Sequence, residues 1–225
     1  MKYFYINLNR RPDRKEHMEK QFSNAGINNY ERFEALDGKI LQSFNVTLEE
    51  ICLFEKADFK HRPNTKLLMG NQLSHIRSIR KFLESDDEYC VIMQDDMVFC
   101  NNFSEEVNNI INNLPQDVEI INIGFHHWAC LAQCIPYDLS EDNTEHIDTK
   151  VNDYVCKLKG IINPCSSAYI ITRDGANKFI EHVLKNGCHS ATDWIFNNYL
   201  INKNIFYGSV KVLCTGSNMG SDIFI

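Results

Sequence analysis

Short apolar runs alternate with longer amphipathic segments along this chain, and the alternation predicts strands and helices in turn. Residues 3–8 and 30–35 contain several aromatic side chains and predict strands. The segment between them predicts a helix, because Pro12 suits a first helical turn and Gly26 suits a helix end. A strand, a helix and a second strand in this order form a βαβ unit, which favours a parallel sheet.

The most continuous apolar run, residues 91–93, leads through Gln94 to two adjacent carboxylates, Asp95 and Asp96. The run predicts a strand buried on both faces, and open α/β sheets bind ligands outside the carboxyl ends of such strands. Neighbouring carboxylates repel each other unless a cation joins them, and oxygen ligands suit Mg²⁺ or Mn²⁺ with phosphate oxygens. The pattern predicts a metal-assisted site for a nucleotide diphosphate. The alternative is a solvated acidic turn.

The rest of the chain continues the alternation. Helices are predicted over residues 70–83, after Ser104, from Arg173 and from residues 190–196, and strands over residues 119–124, 166–172, 205–207 and 210–213. Ser104 is predicted to cap its helix, and Thr47 to open a capping box. Residues 138–154 show no apolar period and predict a loop, and residues 216–222 predict a flexible polar tail that could fold over a ligand.

Composition narrows the class of protein. A chain of 225 residues with 44% hydrophobic content suits one α/β domain. The net charge of -7 argues against nucleic acid as a partner. No signal peptide and no apolar run of membrane-spanning length is found, so we expect a cytoplasmic location, with peripheral membrane contact open and a bacterial or viral origin plausible. Oligomeric state is not readable from the sequence.

The nine cysteines are scattered along the chain and predict reduced thiols, mostly small core residues. Cys130 and Cys134 lie close to His126 and His127, so a zinc site is an alternative. No second close pair of cysteines completes such a site.

Three arginines follow the first predicted strand, where helix N-termini favour anions and guanidinium groups bind phosphate through two parallel hydrogen bonds. Arg14 is the first candidate for a contact with a nucleotide donor and Arg11 the second; a solvated basic face is the alternative. Asp37 precedes Gly38 in a turn that could also lie near a nucleotide.

His75 could contact a ligand or support the acidic strand, or it could be a structural histidine. Asp193 could be a general base at the mouth of a helix, or the N-cap of that helix, a role that Thr192 could also fill.

Six short stretches share a further pattern: YINLNRRPDR at residues 5–14, GNQLSH at 70–75, MQDD at 93–96, SAYIIT at 167–172, TDW at 192–194 and SDI at 221–223. In this order, over nearly the whole chain, they resemble glycosyltransferase family 25. That family contains bacterial lipopolysaccharide galactosyltransferases and collagen galactosyltransferase domains. A glutamate is common where Gln94 stands, and the missing charge implies weaker metal affinity.

The resemblance implies a GT-A-like (Rossmann-like) α/β domain over residues 1–225 with a mixed, mainly parallel central sheet flanked by helices. Residues 1–115 would form a donor half and residues 116–225 an acceptor half. It implies an inverting transfer of a hexose, typically galactose from UDP-galactose, onto a hydroxyl of a glycan or of hydroxylysine. Asp95 and Asp96 would hold Mn²⁺ (or Mg²⁺) on the donor, and Asp193 would match the acidic residue of the acceptor-side helix. The donor-binding set would be Arg11, Arg14, Asp37, His75, Asp95, Ser221 and Asp222.

Our hypothesis is therefore a metal-dependent hexosyltransferase in which Asp193 takes the proton of the acceptor hydroxyl. Three other readings stay open. A nucleotidyl or phosphoryl enzyme would use the same acidic metal site, a non-catalytic sugar-nucleotide or glycan-binding module would bind without turnover, and a hydrolase would pass the sugar to water.

Overall fold

The computed structural model describes residues 1–42, 45–58, 61–125, 147–159 and 166–223. Within these ranges the helices are α1 (Pro12–Asn24), α2 (Leu48–Cys52), α3 (Thr65–Leu83), α4 (Phe103–Asn112), α5 (Arg173–Asn186) and α6 (Thr192–Asn202). The strands are β1 (Lys2–Asn7), β2 (Tyr30–Glu34), β3 (Tyr89–Gln94), β4 (Met97–Phe99), β5 (Ile120–Asn122), β6 (Gly124–Phe125), β7 (Ile147–Lys150), β8 (Val155–Leu158), β9 (Ala168–Thr172), β10 (Tyr207–Ser209) and β11 (Cys214–Gly216).

Eight of these strands form one sheet in the order β2-β1-β3-β9-β5-β10-β8-β7. Strands β9 and β8 run opposite to the other six, as the parallel and antiparallel pairings along the sheet require. A smaller sheet has the order β4-β11-β6. The expectation of an α/β fold with a mixed, mainly parallel sheet is therefore confirmed.

The βαβ start is confirmed as well, since β1 pairs in parallel with both β2 and β3. Helix α1 begins with Pro12 at its first turn and buries Arg14, Met18 and Phe22, which recur at the four-residue spacing of one helix face. The Phe22 ring stacks on Tyr30 of β2, with ring centroids 4.4 Å apart. The helix thereby covers one face of the sheet and presents its N-terminal arginines at the carboxyl ends of β1 and β3.

The direction of β9 decides what lies beside the acidic motif. Because β9 is antiparallel to β3, its first residues lie next to the last residues of β3, with Ala168 opposite Met93. One residue further on, the Gln94 amide donates to the Ser167 carbonyl at 2.7 Å. Segments that are distant in the chain therefore meet at the carboxyl edge of the central strands.

Several predicted element ends were wrong. Helix α3 begins at Thr65 rather than at Gly70, and it carries Gly70 in its interior. A Cβ on Gly70 would lie 2.5 Å from the Leu36 carbonyl oxygen, so the close approach of the loop after β2 explains a glycine there. Ser104 lies inside α4, whose N-cap is Asn102.

Two further predictions need correction. Neither Thr192 nor Asp193 caps α6, because its N-cap is Ala191. Strand β7 lies within the predicted loop of residues 138–154. Three of its four residues are exposed, as suits a strand at the edge of the sheet, and an exposed strand carries no apolar period.

The strand predicted over residues 210–213 is wrong, because β10 ends at Ser209 and β11 begins at Cys214. The capping box at Thr47 is confirmed, and the six described cysteines are free, four of them buried. His126, His127, Cys130 and Cys134 lie outside the described residues. Across the residues that the structure describes, no helix is both long enough and apolar enough to cross a membrane.

Candidate functional site: the carboxyl edge of β1, β3 and β9

A buried arginine links the first helix to the acidic motif. Arg14 Nη1 donates to Asp95 Oδ1 at 2.7 Å, and its Nη2 lies 3.3 Å from Asp96 Oδ2. The same Nη2 donates to the Gly220 carbonyl of the C-terminal tail. The Arg14 side chain is only 7% exposed. One guanidinium therefore joins the ends of β3 and α1 to the tail.

Asp95 is fully engaged by side chains of the protein. Its second oxygen, Oδ2, accepts from Asn7 Nδ2 at 2.7 Å, and the residue is 5% exposed. Asn7 itself is oriented by Arg32, whose Nε donates to Asn7 Oδ1 at 2.7 Å. Asp95 thus lies in a polar network that fixes the ends of β1, β2 and β3 relative to one another.

The other two arginines of the turn bind carboxylates nearer to the surface. Arg10 Nε donates to Asp37 Oδ2 at 2.7 Å, and its Nη1 donates to Asp222. Arg11 Nη1 donates to Asp222 Oδ2 at 2.5 Å. The pKa of Asp222 lies below its ordinary value: burial raises it, but the hydrogen bonds from Arg10 and Arg11 outweigh burial. The negatively charged Asp222 carboxylate therefore lies where the guanidinium groups of Arg10 and Arg11 converge.

The C-terminal tail follows the acidic motif closely. The Ser217 amide donates to the Asp96 carbonyl at 2.6 Å, and Arg11 Nη2 donates to the Met219 carbonyl at 3.0 Å. The tail therefore lies beside the acidic motif, and its folding over a ligand stays a prediction. Ser221 lies in this tail, where its Oγ accepts from the Ile223 amide at 3.2 Å.

The loop that carries Asp37 is held by α3. Ser74 Oγ accepts from the Leu36 amide at 2.8 Å and donates to the Gly70 carbonyl at 2.6 Å. A Cβ on Gly38 would lie 2.3 Å from the Lys66 carbonyl oxygen. The short distance between loop and helix leaves no room for a Cβ at residue 38, and Asp37 in this loop contacts Arg10.

His75 lies deeper than the arginines. It is 1% exposed, and its Nδ1 lies 3.0 Å from the Tyr169 hydroxyl. Burial lowers its pKa to about 3, so the imidazole is neutral at pH 7. This geometry favours the structural alternative, in which His75 braces β9 against α3. Its assignment to donor binding stays a prediction.

Asp193 lies at the start of α6 and binds the segment that leads into β9. Its Oδ1 accepts from the Ser166 amide at 2.7 Å and from Ser166 Oγ at 2.5 Å. Ser167, the next residue, accepts from the Gln94 amide at 2.7 Å. Asp193 is therefore connected through two adjacent serines to the end of β3.

The two adjacent carboxylates differ in their suitability for a metal ion. Both oxygens of Asp95 already accept hydrogen bonds within the protein, whereas the Asp96 side chain is 15% exposed and lies at a longer distance from Arg14. Among the described residues, no group of three or more His, Cys, Asp or Glu side chains is arranged to hold a metal ion. Mg²⁺ is usually bound through one or two carboxylates together with waters and phosphate oxygens, so Asp96 suits such an ion better than Asp95 does.

The structure brings most of the predicted site residues to one edge. Sequence reasoning missed three members: Asn7, Arg10 and Ser166. Asn7 and Arg10 lie in the stretch of residues 5–14 that was singled out, so their position could have been inferred. Ser166 carried no such signal, because its role depends on the antiparallel direction of β9.

A family-wide sequence profile described as "Glycosyltransferase family 25 (LPS biosynthesis protein)" matches residues 1–194. The chain belongs to glycosyltransferase family 25.

Two proteins from animals are similar to part of the chain. A "Glycosyltransferase 25 family member" of Drosophila pseudoobscura pseudoobscura is 28% identical over 163 residues, which cover 71% of this chain and 26% of that protein. "Procollagen galactosyltransferase 2" of Homo sapiens is 29% identical over 126 residues, which cover 54% of this chain and 20% of that protein. The matches cover 20% to 37% of the curated relatives' own length.

Among solved structures, the galactosyltransferase LgtC in complex with donor and acceptor sugar analogs aligns over 96% of this chain and 73% of its own. The TM-score is 0.41 at 10% sequence identity. A similarity of this size carries no argument about function.

Proposed function

We propose that this chain transfers a hexose, galactose from UDP-galactose, onto a hydroxyl group of a glycan or of hydroxylysine, with inversion at the anomeric carbon. Family membership supports a glycosyl transfer, and the name of the human relative supports galactose as the sugar. In this proposal residues 1–115 contribute the donor half of one domain and residues 116–225 the acceptor half.

The donor diphosphate would bind at the N-terminus of α1. Arg10 and Arg11 already converge on one carboxylate, Asp222, which has the charge and planar geometry that guanidinium groups also recognise in phosphate. Arg14, in contrast, is committed to Asp95 and to the tail. We therefore assign Arg10 and Arg11 to the diphosphate and Arg14 to holding the acidic motif in place. The diphosphate would take the place of the Asp222 carboxylate between Arg10 and Arg11, and Asp37 and Ser221 would line the same edge on the donor side.

A divalent cation, Mn²⁺ or Mg²⁺, would be held by Asp96. When bound, the ion supplies positive charge that stabilises the departing UDP, a contribution of about several kcal/mol in comparable sites. Asp95 would act on the same site indirectly, by fixing Arg14. Gln94 has no charge to add, so affinity for the ion would be modest.

Asp193 would be the general base. As the acceptor oxygen forms its bond to the anomeric carbon, the bond from that carbon to the UDP oxygen breaks, and UDP leaves with the electron pair. The acceptor proton passes to the Asp193 carboxylate, so atoms and charges balance. A positioned base contributes about 10² to 10⁴ in rate. One displacement inverts the anomeric centre, and no covalent enzyme nucleophile is needed.

One observation carries this proposal. The Gln94 amide donates to the Ser167 carbonyl, and Ser166 donates two hydrogen bonds to Asp193. Together these bonds connect the candidate base with the acidic motif where β3 pairs with β9. A donor site and a base at the same sheet edge are what a direct displacement between donor and acceptor requires. Trp194 follows Asp193 and is 42% exposed, so it offers an aromatic surface to an acceptor sugar.

The test is UDP release from a panel of UDP-sugars, with and without Mn²⁺, using the wild type, Asp96→Ala and Asp193→Asn. We expect Mn²⁺-dependent release with one preferred sugar, lost in Asp96→Ala and strongly reduced in Asp193→Asn. Slow hydrolysis of the donor without an acceptor is enough for this readout. In buffer that contains methanol as acceptor, the anomeric configuration of the methyl glycoside formed, read by ¹H NMR, distinguishes inversion from retention.

Other outcomes would support the competing functions. Release of pyrophosphate or phosphate in place of UDP would indicate a nucleotidyl or phosphoryl enzyme. Release of free galactose at a rate that no added acceptor changes would indicate a hydrolase. Metal-linked UDP binding with no turnover under any condition would indicate a binding module.

A further inference from the structure

Ser166 makes two hydrogen bonds to one oxygen of Asp193. Its backbone N–H donates at 2.7 Å and its hydroxyl at 2.5 Å, both to Oδ1, and Ser166 is 2% exposed. Hydrogen bonds to a carboxylate are charge-assisted and stronger than neutral ones. These two hydrogen bonds restrict both the rotamer of Asp193 and the distance of its carboxylate from β9.

The rest of the α6 N-terminus is held by α3, whereas Asp193 binds Ser166 in the segment before β9. Thr192 Oγ1 donates to Asn71 Oδ1 at 2.8 Å, and Gln72 Nε2 donates to the Ser190 carbonyl. The N-cap residue, Ala191, has no side chain that could cap the helix. Asp193 is thus not used as a cap, and its contact with Ser166 is directed at β9 instead.

We propose that Ser166 is a positioning residue that holds the Asp193 carboxylate beside the end of β3 for proton transfer. This inference rests on the proposed function, in which Asp193 is the base. The segment of Ser166 and Ser167 joins both groups, because its second residue binds the Gln94 amide at 2.7 Å. A base must lie within hydrogen-bond distance of the proton that it removes, and small displacements cost large factors in rate.

The replacement Ser166→Ala removes the hydroxyl donor and leaves the backbone donor in place. We expect kcat for UDP release to fall about tenfold, the size of one lost hydrogen bond to a charged group. The KM for the UDP-sugar should stay unchanged, because Ser166 binds the base and no donor group. With one donor fewer, the carboxylate becomes more basic, so the acid limb of the pH–kcat profile should move to higher pH by up to about one unit.

Ser209→Ala is the matched control. Ser209 is also buried, at 1% exposure, and its Oγ has no hydrogen-bond partner among the residues that the structure describes. The control should keep kcat, KM and the pH profile of the wild type. Thermal unfolding of both variants shows whether either replacement acts only through stability.

Asp193→Asn separates this inference from the proposed function. Asparagine keeps the Oδ1 acceptor for Ser166 but loses the charge, so the local structure is preserved while the base is removed. Near-normal turnover of Asp193→Asn would overturn the base assignment and the positioning role together. If Asp193→Asn is inactive but Ser166→Ala behaves like Ser209→Ala, the positioning role of Ser166 is wrong, while Asp193 can still be the base.

A titration independent of turnover completes the test. The carboxyl ¹³C resonance of Asp193 reports the pKa of that group directly in the wild type and in Ser166→Ala. A higher pKa in the variant supports the inference, and an unchanged pKa contradicts it.

Discussion

Arg14 and Asp95 form a buried ion pair at the carboxyl edge of the sheet, with Nη1 2.7 Å from Oδ1 and each side chain 7% exposed. Asp96, the next residue, lies 3.3 Å from the same guanidinium and is twice as exposed, at 15%. The two neighbouring carboxylates therefore have different environments, and we expect different consequences when each is replaced.

The replacement Asp95→Asn should mainly lower stability. Breaking a buried pair by removing the charge of one partner leaves Arg14 incompletely compensated, at a cost of about 3 kcal/mol in the free energy of unfolding. Asp96→Asn should cost less, but it should abolish the Mn²⁺ dependence of UDP binding. Urea unfolding measures the first effect, and calorimetric titration of UDP with and without Mn²⁺ measures the second. Equal effects of both variants in both measurements would refute the division of roles.

The replacement Asp222→Asn should loosen the C-terminal tail. Two charged hydrogen bonds, from Arg10 and Arg11, lose their charged acceptor, and at this partly exposed position we expect about 1–2 kcal/mol of lost stability. Because the pKa of Asp222 in the folded state lies below its ordinary value of 3.8, the contribution is present above that value and is lost as the pH falls through the folded pKa. The difference between wild type and variant should thus be constant above pH 5 and shrink below about pH 4.

Urea unfolding at a series of pH values measures this difference, and Asp13→Asn is its control. Asp13 also pairs with Arg11, but its side chain is 50% exposed, so its loss should leave stability nearly unchanged. A difference for Asp222→Asn that grows towards low pH would contradict the assigned ion pairs.

The replacement His75→Phe should flatten the pH dependence of stability in the acid range. Burial lowers the pKa of His75 to about 3, whereas the ordinary value is 6.5, so between these values the unfolded chain binds a proton that the folded protein excludes. Stability of the wild type therefore falls by about 1.4 kcal/mol per pH unit as the pH decreases across this window. Phenylalanine keeps the ring contacts with Tyr169 and Phe196 but leaves the Tyr169 hydroxyl without its partner.

We therefore expect His75→Phe to be less stable than the wild type at pH 7 by about 1–2 kcal/mol, and to lose this disadvantage towards pH 4. Urea unfolding between pH 4 and pH 7.5 measures both effects. His61→Gln, at an exposed histidine, should keep the slope of the wild type. An unchanged slope in His75→Phe would show that His75 is not the group responsible.

The capping box of α2 should contribute to the stability of the segment around it. Thr47 Oγ1 accepts from the Glu50 amide at 3.2 Å, and the Glu50 carboxylate accepts from the Thr47 amide at 2.8 Å. Arg77 Nε and Nη2 donate to the two oxygens of Glu50 at 2.7 and 2.8 Å, which lowers the pKa of Glu50. Thr47→Ala should cost about 1 kcal/mol. Glu50→Gln should cost more, since it weakens both the cap and a two-point ion pair.

Hydrogen exchange of residues 48–57 measures the local effect and thermal unfolding the global one. Glu49→Gln is the control, because Glu49 is 56% exposed and pairs with Arg80 at the surface. Faster exchange in Glu49→Gln than in Glu50→Gln would contradict this account.

The amino-acid sequence by itself predicted several of the elements and most residues of the candidate site. Apolar runs and four-residue spacing located β1, α1, β2 and β3, and the capping box at Thr47 was readable, because these features depend on residues close together in the chain. The acidic motif and the arginines of residues 10–14 were readable for the same reason. Their meeting at one edge followed from the parallel direction that a βαβ unit imposes.

Only the tertiary structure decided how these residues are used. Arg14 and Asp95 are 81 residues apart in the chain, and Arg11 and Asp222 are 211 apart, so no local pattern specifies that they pair. The antiparallel direction of β9 likewise depends on its pairing with β3, and it alone brings Ser166 and Asp193 to the end of the acidic strand. Exposure also arises from packing: Asp95, the less exposed of the two adjacent aspartates, contacts both Arg14 of α1 and Asn7 of β1.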